Sequence, residues 1–181
     1  AQNASKVLAP STAKNVLSIG ASTTNPVGSV ANFSSQGPSL DGRVKPDLVA
    51  PGISLCSGRG KDASIPIGLS CGTGTHSNGE NLYMSLSGSS QATAVAGGSI
   101  SLIREFIREE VGIATPTASL LKAASINGAI DLGTANIPNA QEGWGQISVA
   151  NTVIPSYNGN DFDTYHDHSR TLTAGVSTLY P

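Results

Sequence analysis

Leu86-Ser87-Gly88-Ser89-Ser90-Gln91-Ala92-Thr93-Ala94 is the stretch on which the fold turns. It opens on a glycine-containing turn and runs straight into an apolar series, Ala92, Val95, Ala96, Ile100, Ile103, Phe106 and Ile107, that recurs at three- and four-residue steps. Arg104, Glu105, Arg108, Glu109 and Glu110 gather late, so the spacing predicts a helix over 90–110 that starts buried and ends in solvent. A serine between such a turn and the first turn of a buried helix has its hydroxyl beside backbone N–H groups that no helical carbonyl reaches, at the positive end of the helix dipole. An oxyanion would be stabilised there. The plainer role for Ser89 or Ser90 is a helix N-cap.

Working outward, Val16-Leu17-Ser18-Ile19-Gly20-Ala21 is a short apolar run that predicts a buried strand. Asp47-Leu48-Val49-Ala50 predicts a second strand, closed off by Pro46 before it and Pro51-Gly52 after it. Asn25-Pro26, Ser35-Gln36-Gly37-Pro38 and Asp41-Gly42 are turn signals between the two. Residues 53–82 carry Gly58, Gly60, Gly68, Gly72, Gly74 and Gly79 with little periodicity and predict a long functional loop. Downstream, Thr115 as cap, Pro116 in the first turn, and Leu120, Leu121, Ala124 and Ile126 predict a second helix over 116–127. Strands alternating with helices make the chain α/β.

The 181 residues suit one domain. No apolar run approaches the ~18 residues of a bilayer span, which argues against a membrane-embedded chain. Charged residues are 12% and the net charge is −2, so there is no basic patch for nucleic acid. Small residues, 21 of them glycine, replace the missing charge, unlike the highly charged composition of disordered chains. Cys56 and Cys71 lack the C-x-x-C pairing of zinc or redox sites and read as one disulfide, the alternative being two buried thiols. Such a bridge would contribute roughly 3 kcal/mol and persist only in an oxidising compartment, which points to a secreted or extracellular protein. Ala1 to Pro10 has neither the basic start nor the apolar core of a signal peptide, so the chain reads as a mature or internal piece.

Gly88-Ser89-Ser90-Gln91-Ala92-Thr93-Ala94 resembles the nucleophile segment of the subtilisin-like serine proteases, G-T-S-M-A-[ST]-P. Phe33-Ser34-Ser35-Gln36-Gly37-Pro38 and Asp41-Gly42-Arg43-Val44-Lys45-Pro46-Asp47-Leu48-Val49-Ala50-Pro51-Gly52 resemble that family's F-S-x-x-G-P and D-G-R-x-K-P-D-[ILV]-x-A-P-G, in the right order. Ser119-Leu120-Leu121-Lys122-Ala123-Ala124 and Gly143-Trp144-Gly145 extend the resemblance, over residues 10–154, toward the alkaline subtilases with a C-terminal β-barrel.

The resemblance implies a subtilisin-like α/β fold, with a mainly parallel sheet and a buried helix after the nucleophile, here incomplete. Residues 1–154 would be the C-terminal part of a catalytic domain, and 155–181 a linker and the beginning of a β-sandwich or β-barrel domain. It also implies a serine endopeptidase acting on polypeptides with no required cofactor, through an acyl-enzyme on Ser90, whose own backbone N–H would be one oxyanion donor. Leu8-Ala9-Pro10 aligns with the edge of the primary substrate pocket, and its small apolar character suits apolar side chains.

The family's catalytic Asp, its His in H-G-T-H and its oxyanion Asn in a Gly-Asn pair precede the matched region, so they are expected in an upstream part of the same protease. Asn3 lies near that position, but in Ala1-Gln2-Asn3-Ala4 it lacks the preceding glycine. His76 in Gly74-Thr75-His76-Ser77 echoes the histidine motif, yet it stands only 14 residues before Ser90, inside the loop. A serine without a base is a weak nucleophile, so the isolated chain is expected to be inactive. The alternative is a non-catalytic subtilase-like binding or scaffold module.

Other signals are weaker. Asn158 to His168 gathers carboxylates and two histidines whose oxygen ligands suit a structural calcium, although the spacing departs from an EF-hand and a solvated linker is the plain reading; no transition-metal site is assigned. Trp144 between glycines reads as a packing anchor, and Asn3-Ala4-Ser5 and Asn32-Phe33-Ser34 fit the N-glycosylation pattern. Gln91 stands where the family often has methionine and Ala94 where it has proline, but both are good helix residues. Glutamine forms no sulfoxide, so Gln91→Met should make the full-length enzyme lose activity faster under peroxide; equal losses in timed assays of both forms would refute this.

Overall fold

Short apolar runs form the sheet in the computed structural model, which describes residues 6–24, 28–60, 69–77, 79–133, 136–154 and the backbone of 156–157 and 160–161. Strand β1 (Ile19–Ser22) pairs in parallel with β2 (Leu48–Pro51), with Ile19 opposite Leu48 and Ser22 opposite Pro51. On the other edge of β2, Val49 N–H donates to Gly145 O (2.9 Å) and Ile147 N–H donates to Val49 O (3.0 Å), which adds a parallel neighbour. Ile130 pairs antiparallel with Gln146 beyond it. The α/β architecture with a mainly parallel sheet is therefore as the sequence implies.

Both expected strands are present with shifted ends. β1 begins at Ile19 rather than Val16 because the backbone of 16–18 is captured by side chains: Val16 O accepts from Lys45 Nζ (2.9 Å) and Ser18 N–H donates to Asp47 Oδ2 (2.7 Å). The loop expected over 53–82 is partly regular. Strand β3 (Leu55–Gly58) pairs antiparallel with β4 (Tyr83–Leu86), and a disulfide joins Cys56 to Cys71.

Helix α1 (Ser89–Glu109) lies across β1 and β2. Its contact is made by small residues, Ala92 and Ala96 against Ala21 and Ala50, so the helix and sheet backbones approach closely. Further along, Ile103 and Ile107 pack with Ala124 of α2 (Ala118–Asn127) and with Val149 and Val153 of α3 (Val149–Val153). The expectation of a helix that starts buried and ends wet is corrected: one stripe is buried along the whole length, while Ser89, Ser90, Thr93 and Ala94 are exposed from the first turn.

Two caps also differ from expectation. The N-cap of α1 is Gly88, with no side-chain cap bond, so neither Ser89 nor Ser90 has the plain capping role. Helix α2 starts two residues later than expected, because the hydroxyl that accepts from Leu120 N–H (3.2 Å) belongs to Thr117, not Thr115, and Pro116 precedes the cap. Gly128 closes α2 where a Cβ would lie 2.9 Å from the backbone of Thr152, so the α2–α3 approach requires a glycine. The two-residue strands β5 (Ser156–Tyr157) and β6 (Asn160–Asp161) pair antiparallel, and the remainder of the 158–168 run lies outside the described residues.

The residues around Asp47 hold these pieces together. Its carboxylate is buried and accepts from Lys45 Nζ (2.6 Å), Lys122 Nζ (2.7 Å) and Ser18 N–H (2.7 Å), joining the approach to β1, the entry of β2 and helix α2. Its carbonyl accepts from Trp144 N–H (2.9 Å). Gly143 reaches this position in the left-handed region (φ 65°), where a Cβ would collide with the carbonyls of Pro46 and Asp47. Trp144 is 40% exposed, which corrects its reading as a packing anchor: the turn is held through its backbone N–H on Asp47 O.

Burial pushes the Asp47 carboxyl up, but hydrogen bonds from Lys122, Lys45 and Ser18 N–H outweigh it and hold its pKa below the ordinary carboxylate value. A depressed folded pKa contributes stability that is complete above the unfolded value of about 3.9 and lost as pH falls through the folded value. Asp47→Asn should cost about 3 kcal/mol at neutral pH, since Lys45 is left buried without its counter-charge. The gap to wild type should narrow below about pH 4. Thermal melts across that range check this, and a gap independent of pH would contradict it.

Candidate active site

The serine segment is positioned by backbone rather than by side chains. Past the end of β2, Gly52 N–H donates to Ser22 O (2.9 Å) and Gly52 O accepts from Gly88 N–H (2.7 Å), so one residue links β1 to the turn before α1. A Cβ on Gly52 would lie 2.8 Å from Gly88 O, 2.9 Å from the Ala21 Cβ and 3.1 Å from the Ala92 Cβ. Beside it, Ser54 N–H donates to Ser87 Oγ (2.8 Å).

Ala92 N–H to Gly88 O (3.2 Å) starts the helical ladder. The N–H groups of Ser89, Ser90 and Gln91 therefore precede any intrahelical acceptor, the N-cap residue Gly88 makes no side-chain cap bond and no acidic residue stands in the first turn. Ser90, the second helical residue, is exposed. Its surroundings are thus a hydroxyl, backbone donors without an intrahelical acceptor and the positive end of a 21-residue helix.

Two depressions flank this point. Ser90 lines a groove of 410 Å³ together with Gln91, Ala94 and Val95 of α1 and Leu55, Cys56, Met84 and Leu86 of the hairpin. Ser89 lines a crevice of 90 Å³ with Val7, Leu8, Ser35 and Pro46. Of the expected pocket edge, Leu8 thus reaches the neighbourhood of the serine, Ala9 lines a separate groove with Leu40 and Arg43, and Pro10 lines neither the crevice nor that groove. His76 sits in a turn, its N–H donating to Glu80 O (2.7 Å) and its Nε2 lying 3.3 Å from Arg59 O; it does not line the groove at Ser90. Asn3 lies outside the described residues, and Asn32 is exposed. Among the described residues, no group of three or more His, Cys, Asp or Glu could hold a metal ion.

Comparison with known proteins agrees with the geometry. The profile of the subtilase family matches residues 1–145. The chain belongs to the subtilase family. It is 34% identical over 141 residues to the serine protease/ABC transporter B family protein tagB of Dictyostelium discoideum, covering 72% of this chain and 7% of that protein. It is 33% identical over 103 residues to the serine protease AprX of Bacillus subtilis, covering 54% of this chain and 22% of that one. Among solved structures, the CspB protease of Clostridium perfringens (TM-score 0.60, 24% identity) and fervidolysin of Fervidobacterium pennivorans (TM-score 0.56, 20% identity) each cover 80% of this chain, which spans 27% and 20% of theirs. The fold of this subtilase chain is therefore subtilisin-like.

Gly52 and the groove wall formed by Leu55, Met84 and Leu86 were not assigned from sequence. The alternation Leu55-x-Ser57 and Met84-x-Leu86 was the available signal, obscured by the glycines between them. Gly52→Ala should destabilise the protein by about 1–3 kcal/mol through overpacking, since the nearest atom is a carbonyl rather than a yielding side chain. In the full-length protein it should also slow fluorophosphonate labelling at Ser90 by displacing the Gly88 turn. Melting and labelling rates measured together test this, and a stable variant that labels at the wild-type rate would contradict it.

Proposed function

We propose that this chain carries the nucleophile of a serine endopeptidase, Ser90, with the histidine base, its orienting aspartate and the oxyanion asparagine supplied by protein outside these 181 residues. The observation that carries the reading is the exposed Ser90 hydroxyl on an uncapped helix N-terminus, at the edge of an apolar groove. In the reaction, Ser90 Oγ attacks a peptide carbonyl carbon while the histidine takes its proton. The developing oxyanion is stabilised by the Ser90 N–H and the helix dipole. The proton then passes to the leaving amine, and water releases the acyl group from Ser90.

The substrates are polypeptides, recognised through apolar side chains beside Ser90. The Cys56–Cys71 bridge supports secretion into an oxidising compartment, and no helix among the described residues is long and apolar enough to cross a membrane.

The full-length protein should be labelled at Ser90 by a fluorophosphonate, and Ser90→Ala should abolish both labelling and peptide hydrolysis down to a small residue. The 181-residue chain alone should label slowly or not at all. No labelling of either form favours the scaffold, and rapid labelling of the isolated chain that is lost in His76→Ala would make His76 the base.

A further inference from the structure

The wall of the groove at Ser90 is a hairpin that the core barely holds. In β3 only Leu55 is partly buried, and Cys56, Ser57 and Gly58 are exposed. A Cβ on Gly58 would meet nothing within 4 Å. Strand β4 contributes one buried side chain, Met84. The contacts of β3 with regular structure are made chiefly with β4 itself. Among the described residues, the ties beyond the ladder itself include the Ser54–Ser87 hydrogen bond at its base, Arg59 N–H donating to Leu82 O (2.8 Å) and the Arg59–Glu80 ion pair (3.3 Å) past its far end, and the covalent bond from Cys56 to Cys71, beside Ser70, which bridges to Met84.

Cys56 is also part of the groove surface, alongside Leu55, Met84 and Leu86 and across from Gln91, Ala94 and Val95. A segment with few buried contacts opens locally at low free energy. Closing a loop across a sequence separation of 15 removes many of those open arrangements. The position of the wall, and so the shape of the apolar groove, then depends on the bridge more than on packing.

We propose that the Cys56–Cys71 disulfide is a positioning element for substrate selection: it fixes the wall that receives an apolar side chain of an extended peptide lying across Ser90. The inference rests on the reading of Ser90 as the nucleophile. The bridge acts through Leu55, Met84 and Leu86 and touches no reacting atom. A dithiol reductant reverses it by giving up two electrons and two protons: the S–S bond breaks, two cysteine S–H groups form, and the reductant becomes a disulfide. Oxidation state therefore governs which side chain is accepted next to the scissile bond.

The test uses the full-length protein and a series of quenched fluorescent peptides in which leucine or serine occupies each position around the cleavage site in turn. The oxidised protein should favour leucine about tenfold in kcat/KM at one position or two adjacent ones. In dithiothreitol-reduced protein and in Cys71→Ser, which removes the bridge from outside the groove lining, that preference should vanish through a rise in KM for the leucine peptides, while Ser90 still reacts with a fluorophosphonate. The Cys71→Ser variant separates this bridge from any other disulfide in the protein. An unchanged leucine preference after loss of the bridge overturns the proposal. So does loss of fluorophosphonate reactivity in step with hydrolysis, which would mean the bridge supports the whole site. Failure of the oxidised protein to label at all refutes the nucleophile reading itself, and the groove assignment falls with it.

Discussion

A single buried carboxylate with two lysines on it sets the frame of this chain. Asp47 receives Lys45, Lys122 and the Ser18 N–H on its side chain and the Trp144 N–H on its carbonyl, so segments far apart in sequence meet at the entrance to β2. An ionised group in that position is tolerable only when its lone pairs are occupied, and each partner comes from a different part of the chain. Strand β2 is thereby fixed at the residue just before it. At its other end, Gly52 passes the position on through two backbone hydrogen bonds, one to β1 and one to the turn at Gly88. The place of Ser90 is set by that relay from the core.

Small residues make the relay short. Ala21, Ala50, Ala92 and Ala96 let α1 lie close on the strands, and Gly52 lets Gly88 come within hydrogen-bond reach. Larger side chains at these positions would separate helix from sheet and draw the serine turn away from the strand end. The same closeness leaves the first turn of α1 unable to bury its outer face, so Ser89 and Ser90 reach solvent although the helix they begin is packed along one stripe.

Much of this was legible in the residues. The period of Ala92, Ala96, Ile103 and Ile107 gives α1, and the proline-bounded Leu48-Val49-Ala50 gives β2. The serine segment was found from the turn and helix pattern together with the family motifs. What pattern reading missed depends on contacts made at a distance. The Lys45-Pro46-Asp47 motif marks the family but does not disclose that Lys122, on another helix, completes the cluster. The β3–β4 hairpin was hidden because Cys56, Ser57 and Gly58 are exposed and the glycines between the two strands obscure the spacing of Leu55, Met84 and Leu86. Thr117 rather than Thr115 caps α2, and two threonines flanking one proline offer the same hydroxyl to a reading of the sequence.

Helix α1 is unevenly built along its own axis. Gly97 and Gly98 stand in its middle with open space where side chains would be, and each lowers helix propensity by about 1 kcal/mol relative to alanine. Beyond them, Ile103 and Ile107 give the C-terminal half large fully buried anchors, whereas the N-terminal half is held by the methyl groups of Ala92 and Ala96. The glycine pair therefore separates a half packed on the sheet through small residues from a half packed on α2 and α3 through isoleucines. The half that bears Ser90 owes its helical state to the sheet beneath it, so any loosening of β1 and β2 reaches the serine as loss of helix before it reaches the far end.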